Sequence, residues 1–139
     1  NGKRIPVEMG SHGIGVSRLV GALIEANHDQ HGIIWPKTVS PFDAVIINLK
    51  QNDKICNETS IKIYDILNVN GFDILYDDRF ESVGAKFSSM DLIGIPIQII
   101  VGPRGLSEGM LEIKFRKDGM RKNIPLSENY LELINAIKK

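Results

Sequence analysis

Between residues 43 and 126, short apolar runs alternate with amphipathic stretches in an order that few folds accommodate. AVIINL (44–49) is continuously apolar, as a parallel strand covered on both faces must be. NETSIKIYDILNVNG (57–71) has helical spacing, and Gly71 supplies the residue that helix ends favour. FDILYDD (72–78) alternates like a strand. SVGAKFSSMDLIG (82–94) predicts a second helix with Ser82 as its cap, and PIQIIVG (96–102) a third, β-branched strand. GMLEIKFR (109–116) and MRKNIPL (120–126) flank KDG and predict a hairpin. SENYLELINAIKK predicts a closing helix, with Ser127 before Glu128 as its cap and Tyr130, Leu131, Ile134 and Ile137 on its apolar face. The order β-α-β-α-β-β-β-α predicts a compact α/β sandwich large enough to hold its own core.

Upstream the pattern differs. PVEM (6–9) reads as the end of a short strand, glycines 10, 13 and 15 force a turn, and VSRLVGALIEAN continues with helical spacing. Val16, Leu19, Val20, Leu23 and Ile24 make a wide apolar stripe on that helix, which needs a sheet to lie against. NHDQHGIIWPKTVSP ends the helix, and Pro36 and Pro41 stiffen what reads as a connecting strap. The domain boundary falls near residues 36–42.

The whole chain has 139 residues, 42% hydrophobic and 24% charged, with no formal net charge, which fits one ordinary domain or one domain plus a fragment. No bulk charge points to nucleic acid or membrane, although a local basic patch stays open. Cys56 is the single cysteine, so there is no intramolecular disulfide framework and no multi-cysteine zinc site; a reducing cytosolic compartment fits best. No apolar run approaches the roughly 20 residues of a membrane span. The first residue is Asn rather than Met, so the chain reads as a piece of something longer.

Two stretches together resemble a known family. VEMGSHGIGVSRLVGALIEANHDQHGIIWPKTVSPFD is similar to the end of the catalytic domain of bacterial prolyl-tRNA synthetases, with the third class II motif and the strap after it. DDRFESVGAKFSSMDLIGIPIQIIVGPR resembles their anticodon-binding domain. The resemblance covers essentially the whole chain. It implies a strand-helix remnant of a class II catalytic domain over residues 1–38, followed over 39–139 by a three-layer α/β/α anticodon-binding domain with a mixed sheet of about five strands and about three helices. The elements DDR, KF, DLIGIP and GPR favour proline over threonine, histidine or glycine. The function implied is anticodon recognition within a cytoplasmic enzyme that attaches proline to its tRNA through prolyl-adenylate, using ATP and Mg2+ and acting as a homodimer.

In GSHGIGVSR, Gly13 and Gly15 permit close approach of a flat base to the backbone, and Arg18 falls in the first helical turn beside the positive end of the helix dipole. The resemblance assigns Gly13 and Gly15 to the adenine pocket and Arg18 to an ATP phosphate. Adenylate formation needs several converging groups, so this stretch alone is expected to be inactive, and the fragment to bind no cofactor tightly. For the anticodon, Phe87 and Asp91 are four apart on the second predicted helix, so ring and carboxylate share a face. Arg104 sits in the turn GPRG after the third strand. By the resemblance, Phe87 is a stacking platform, Asp91 an acceptor for a guanine edge and Arg104 a base or phosphate contact. Lys86 and Arg79 are added as contacts to the RNA backbone. Taken alone, Phe87 reads equally well as a core ring, and Asp91 and Arg104 read as solvated charges.

Other conspicuous residues take blander readings. Asp77, Asp78 and Arg79 organise the turn between strand and helix, since adjacent carboxylates at a strand end point apart. His28 and His31, at i and i+3, lack a cysteine partner and read as cations at a helix end rather than metal ligands; no metal site is expected. Cys56 falls in a loop before a helix, a position that can lower a thiol's pKa. Trp35 packs the strap against the domain. A different class of function stays open: a stand-alone RNA-binding accessory module without chemistry, or the same portion of a threonyl, histidyl or glycyl enzyme. A flavodoxin-like nucleotide binder fails on the predicted hairpin, because its sheet is parallel throughout.

Overall fold

The computed structural model describes all residues except 1, 128, 129 and 139. Five strands form one sheet in the order β4-β3-β5-β6-β7: β3 (Ala44–Asn48), β4 (Ile74–Asp77), β5 (Ile97–Val101), β6 (Met110–Phe115) and β7 (Arg121–Pro125). β3 runs parallel to β4 and β5; β5, β6 and β7 are antiparallel to their neighbours. The mixed sheet is therefore the one expected, with the hairpin turned at Lys117–Gly119.

Strand alternation divides the core in two. Ile46, Ile99, Leu111, Ile113 and Ile124 point to one face, where α2 (Lys54–Val69) and α5 (Leu131–Lys138) cover them through Ile63, Leu67, Leu133 and Ile137. Val45 and Ile47 point to the other, against Met90 of α3 (Val83–Ile93) and Ile95. Every residue of β3 and β5 is buried, as the continuous apolar runs require.

Local chemistry explains the helix ends. Asp53 accepts the Cys56 amide at 3.0 Å and starts α2 three residues before the predicted start. Cys56 thus lies in the first turn, buried, and burial together with the Asp53 carboxylate pushes its thiol up to about 11. The lowered thiol pKa that a loop position would allow is not found: desolvation and Asp53 outweigh the nearby Lys50. Gly71, left-handed at φ 82°, closes α2 with the Phe72 amide on the Leu67 carbonyl and its own on Asn68. Ser82 caps α3 by accepting from the Ala85 amide, as its position predicts.

Five further expectations are corrected. Residues 6–9 form no strand and are exposed, because a strand needs a neighbour to pair with. The strap contains a two-stranded hairpin, β1 (His28–Asp29) with β2 (Gly32–Ile33). Arg104 lies not in a turn but in a short helix, α4 (Pro103–Ser107), opened by Pro103 at its first position. Ser127 does not cap α5, which begins at Leu131; the Glu128 half of that expectation lies outside the described residues. On α5 the buried residues are Leu133, Ile134 and Ile137, with Tyr130 just before it, while Leu131 is exposed.

Candidate nucleic-acid interface

The two faces of the sheet are covered unequally. α3 lies over β3, and alternation along β6 and β7 turns Glu112, Lys114, Arg121 and Asn123 to the same side. Among the described residues no helix covers that end of the face, and Arg121 and Asn123 are exposed. A polar strip therefore runs along the sheet beside α3.

Phe87 and Asp91 line this strip from one face of α3, one turn apart. The half-buried Phe87 ring has the Lys114 ammonium 5.9 Å and the Arg121 guanidinium 5.5 Å from its centre. Lys114 also donates to both Asp91 oxygens, at 2.6 and 2.7 Å, and the Gln98 amide donates to the first at 2.8 Å. Burial pushes the Asp91 carboxyl up, but the bonds from Lys114 and Gln98 outweigh it and hold it below the usual carboxylate range. Gln98 itself is fully buried, and its Oε1 has no hydrogen-bond partner among the described residues. Carboxylate and ammonium thus stand side by side next to an aromatic ring, an acceptor and a donor beside a stacking surface.

The strip continues past Ile100, Glu112 and Asn123, two residues or about 7 Å further along the strands, to a shallow cleft closed by Arg104. Arg104 is 93% exposed and makes only a surface pair with Glu108 at 3.4 Å. Phe87 and Asp91 are brought together; Arg104 stands apart at the far end.

Residues 43–138 match the model of the family described as the anticodon binding domain. The chain belongs to that family. It is 53% identical over 133 residues, 96% of its own length, to a proline--tRNA ligase of Caulobacter sp. (strain K31), covering 30% of that protein. It is 51% identical over 133 residues, again 96% of this chain and 30% of the relative, to the proline--tRNA ligase of Rhodopseudomonas palustris (strain HaA2). With that of Zymomonas mobilis it shares 48% over 136 residues, 98% of this chain and 30% of the relative. The chain spans about 30% of the length of the curated relatives it matches.

Within this anticodon binding domain, two candidate residues change character. Lys86 is 0% exposed: its ammonium donates to the carbonyls of Asn48 at 2.7 Å and Asp77 at 3.3 Å and stands 3.7 Å from the Asp77 carboxylate. A buried ammonium presents nothing to a phosphate, so the expected backbone contact is corrected to an internal strut between the ends of β3 and β4 and α3. Burial lowers the Lys86 pKa, and Asp77 offsets part of that. Arg79 chelates the buried Asp77 through Nε and Nη2, both at 2.9 Å, and is half exposed. It organises the turn after β4, leaving one edge towards solvent.

Gly13, Gly15 and Arg18 are all exposed. Arg18 sits in the first turn of α1 (Val16–Ala26), as its position predicts, and these three residues line neither of the two principal cavities of the described residues. They do not by themselves fit ATP. His28 donates from Nδ1 to the Ile24 carbonyl at the end of α1, and the described residues hold no cluster able to bind a metal. No helix is long and apolar enough to cross a membrane.

Proposed function

We propose that this chain is the tRNA-reading portion of a cytoplasmic proline–tRNA ligase, with the last catalytic motif of that enzyme attached through residues 1–38. The observation that carries the reading is the Asp91–Lys114 pair beside Phe87, on the uncovered end of the sheet. A guanine offers two donors and one acceptor along its Watson–Crick edge; Asp91 accepts from the donors, Lys114 donates to the O6 acceptor, and Phe87 takes the face of the base. Gln98, fully buried, meets no RNA itself but holds the Asp91 carboxylate through its amide at 2.8 Å. Arg104 and the open edge of Arg79 meet phosphates. The extensive similarity to proline--tRNA ligases supports the choice of amino acid, since proline anticodons end in two guanines.

The proline, ATP, Mg2+ and dimer partner of the full-length enzyme belong to the same proposal. Gly13, Gly15 and Arg18 supply one edge of the ATP site and no chemistry of their own, so this chain is expected to show no ATP–pyrophosphate exchange. The test of function is a titration with an anticodon stem-loop RNA bearing the two guanines, against the same RNA with both replaced by adenine. A preference for the first, with affinity falling as salt rises, is expected; equal binding of both refutes the reading.

A further inference from the structure

The strap between α1 and the sheet domain makes one bond to α5, from Lys37 to the Ile137 carbonyl at 2.5 Å, but most of its polar contacts converge on the last turn of α3, the helix that carries Phe87 and Asp91. A helix end leaves carbonyls without partners, and here the strap fills them. The Trp35 amide donates to the Gly94 carbonyl at 3.3 Å and its indole to Ile93 at 2.9 Å. Arg116, 5% exposed, donates from Nε to the Asp91 carbonyl at 3.0 Å. The other edge of the same guanidinium chelates Asp29, at 2.7 and 2.8 Å, and Asp29 also accepts the amides of His31 and Gly32 across its own hairpin. The backbones meet without room for side chains. A Cβ on Gly32 would lie 2.4 Å from Leu92 Cα, and one on Gly94 2.1 Å from the Ile33 carbonyl oxygen.

We propose that Asp29 and Arg116 are positioning residues for base recognition: they lock the β1–β2 hairpin onto the last turn of α3 and so fix where the Asp91 carboxylate stands. The inference rests on the anticodon-reading function above. Lys86 ties α3 to the ends of β3 and β4, and the Asp29–Arg116 pair ties its other end to the strap. Arg116 is too buried to meet RNA, so its charge acts only through Asp29 and Asp91. A carboxylate that distinguishes guanine from adenine must be held to within a fraction of an ångström, which requires a rigid supporting shell. The same latch joins α3 to α1, the helix carrying Arg18, through a strap of few residues.

The test titrates the 139-residue chain and its variants with the two stem-loop RNAs. Asp29→Asn keeps the acceptor for its hairpin amides but loses the charge that Arg116 chelates. Gly32→Ala pushes the hairpin off α3 and leaves every charge in place. Both are expected to lower the preference for the guanine RNA about tenfold, mainly through weaker binding of that RNA. Net charge alone predicts otherwise: removing an anion at position 29 would tighten both RNAs alike, and Gly32→Ala would change neither. Arg116→Met is the stronger lesion, and where it does not fold, the other two variants carry the test. Emission of Trp35, the single tryptophan, shifts to the red as the strap lifts. Unchanged preference in folded Asp29→Asn and Gly32→Ala proteins overturns the latch. Absence of preference in the unsubstituted chain is a different result, and refutes anticodon reading itself.

Discussion

Helix α1 and helix α2 both carry an apolar stripe, yet one has no buried residue and the other buries Cys56, Ser60, Ile63 and Leu67 against the sheet. Val16 in α1 is 76% exposed, whereas Ile63 in α2 is 0% exposed. The difference lies not in the helices but in what faces them. An amphipathic stripe is an instruction to pack, and most helical stability comes from obeying it. α1 finds no surface among the described residues to bury its stripe against.

The comparison can be broken at several points. The largest effects belong to the sheet domain. Ile99→Ala, at a fully buried position, should cost about 2–5 kcal/mol by urea unfolding, against about 0.5 kcal/mol or less for Leu19→Ala in α1. Similar losses at both sites would show that α1 is docked. Lys86→Ala removes a partner of buried Asp77 and should destabilise by about 3 kcal/mol in urea unfolding. Asp91→Ala should lower the preference for guanine about tenfold or more, a larger change than its effect on affinity for the adenine RNA. A smaller effect concerns pH. Asp29, Asp53, Asp77 and Asp91 all have folded pKa values below the ordinary one. Their contribution is therefore fully present above the unfolded value of about 4 and is lost as pH falls through the folded values. The melting temperature should be flat from pH 7 to about 5 and fall below about 4. The smallest effect is expected from exposed Arg104: Arg104→Ala should weaken both RNAs alike and reduce the salt slope by about one.

Much of the fold was legible in the sequence because its strands are either wholly buried or cleanly alternating. AVIINL and PIQIIV allow no other reading than central strands, and the hairpin around KDG announces itself. Boundaries slipped where a side chain made the decision: Asp53, capping through its carboxylate, drew Cys56 into the helix and its interior. At the site, spacing alone brought Phe87 and Asp91 to one face of α3. It did not reveal that Lys86, between them and the sheet, points inward, because a lysine at a strand-helix junction looks the same whether it meets solvent or two strand-end carbonyls. Lys114 and Gln98 were missed although signals existed: Lys114 takes the outward phase in LEIKF, and Gln98 is the lone polar residue in an apolar strand. The Asp29–Arg116 pair, 87 residues apart, left no local trace.

The central claim is that RNA is read on the uncovered strip beside α3 and not on the face covered by α2 and α5. Amide chemical-shift mapping of the chain with the guanine stem-loop tests it most directly. Perturbations are expected at residues 87–91, 98–100, 112–114 and 121–123, with 60–67 and 133–137 unmoved. Perturbations concentrated on α2 and α5, with residues 87–91 silent, would contradict it.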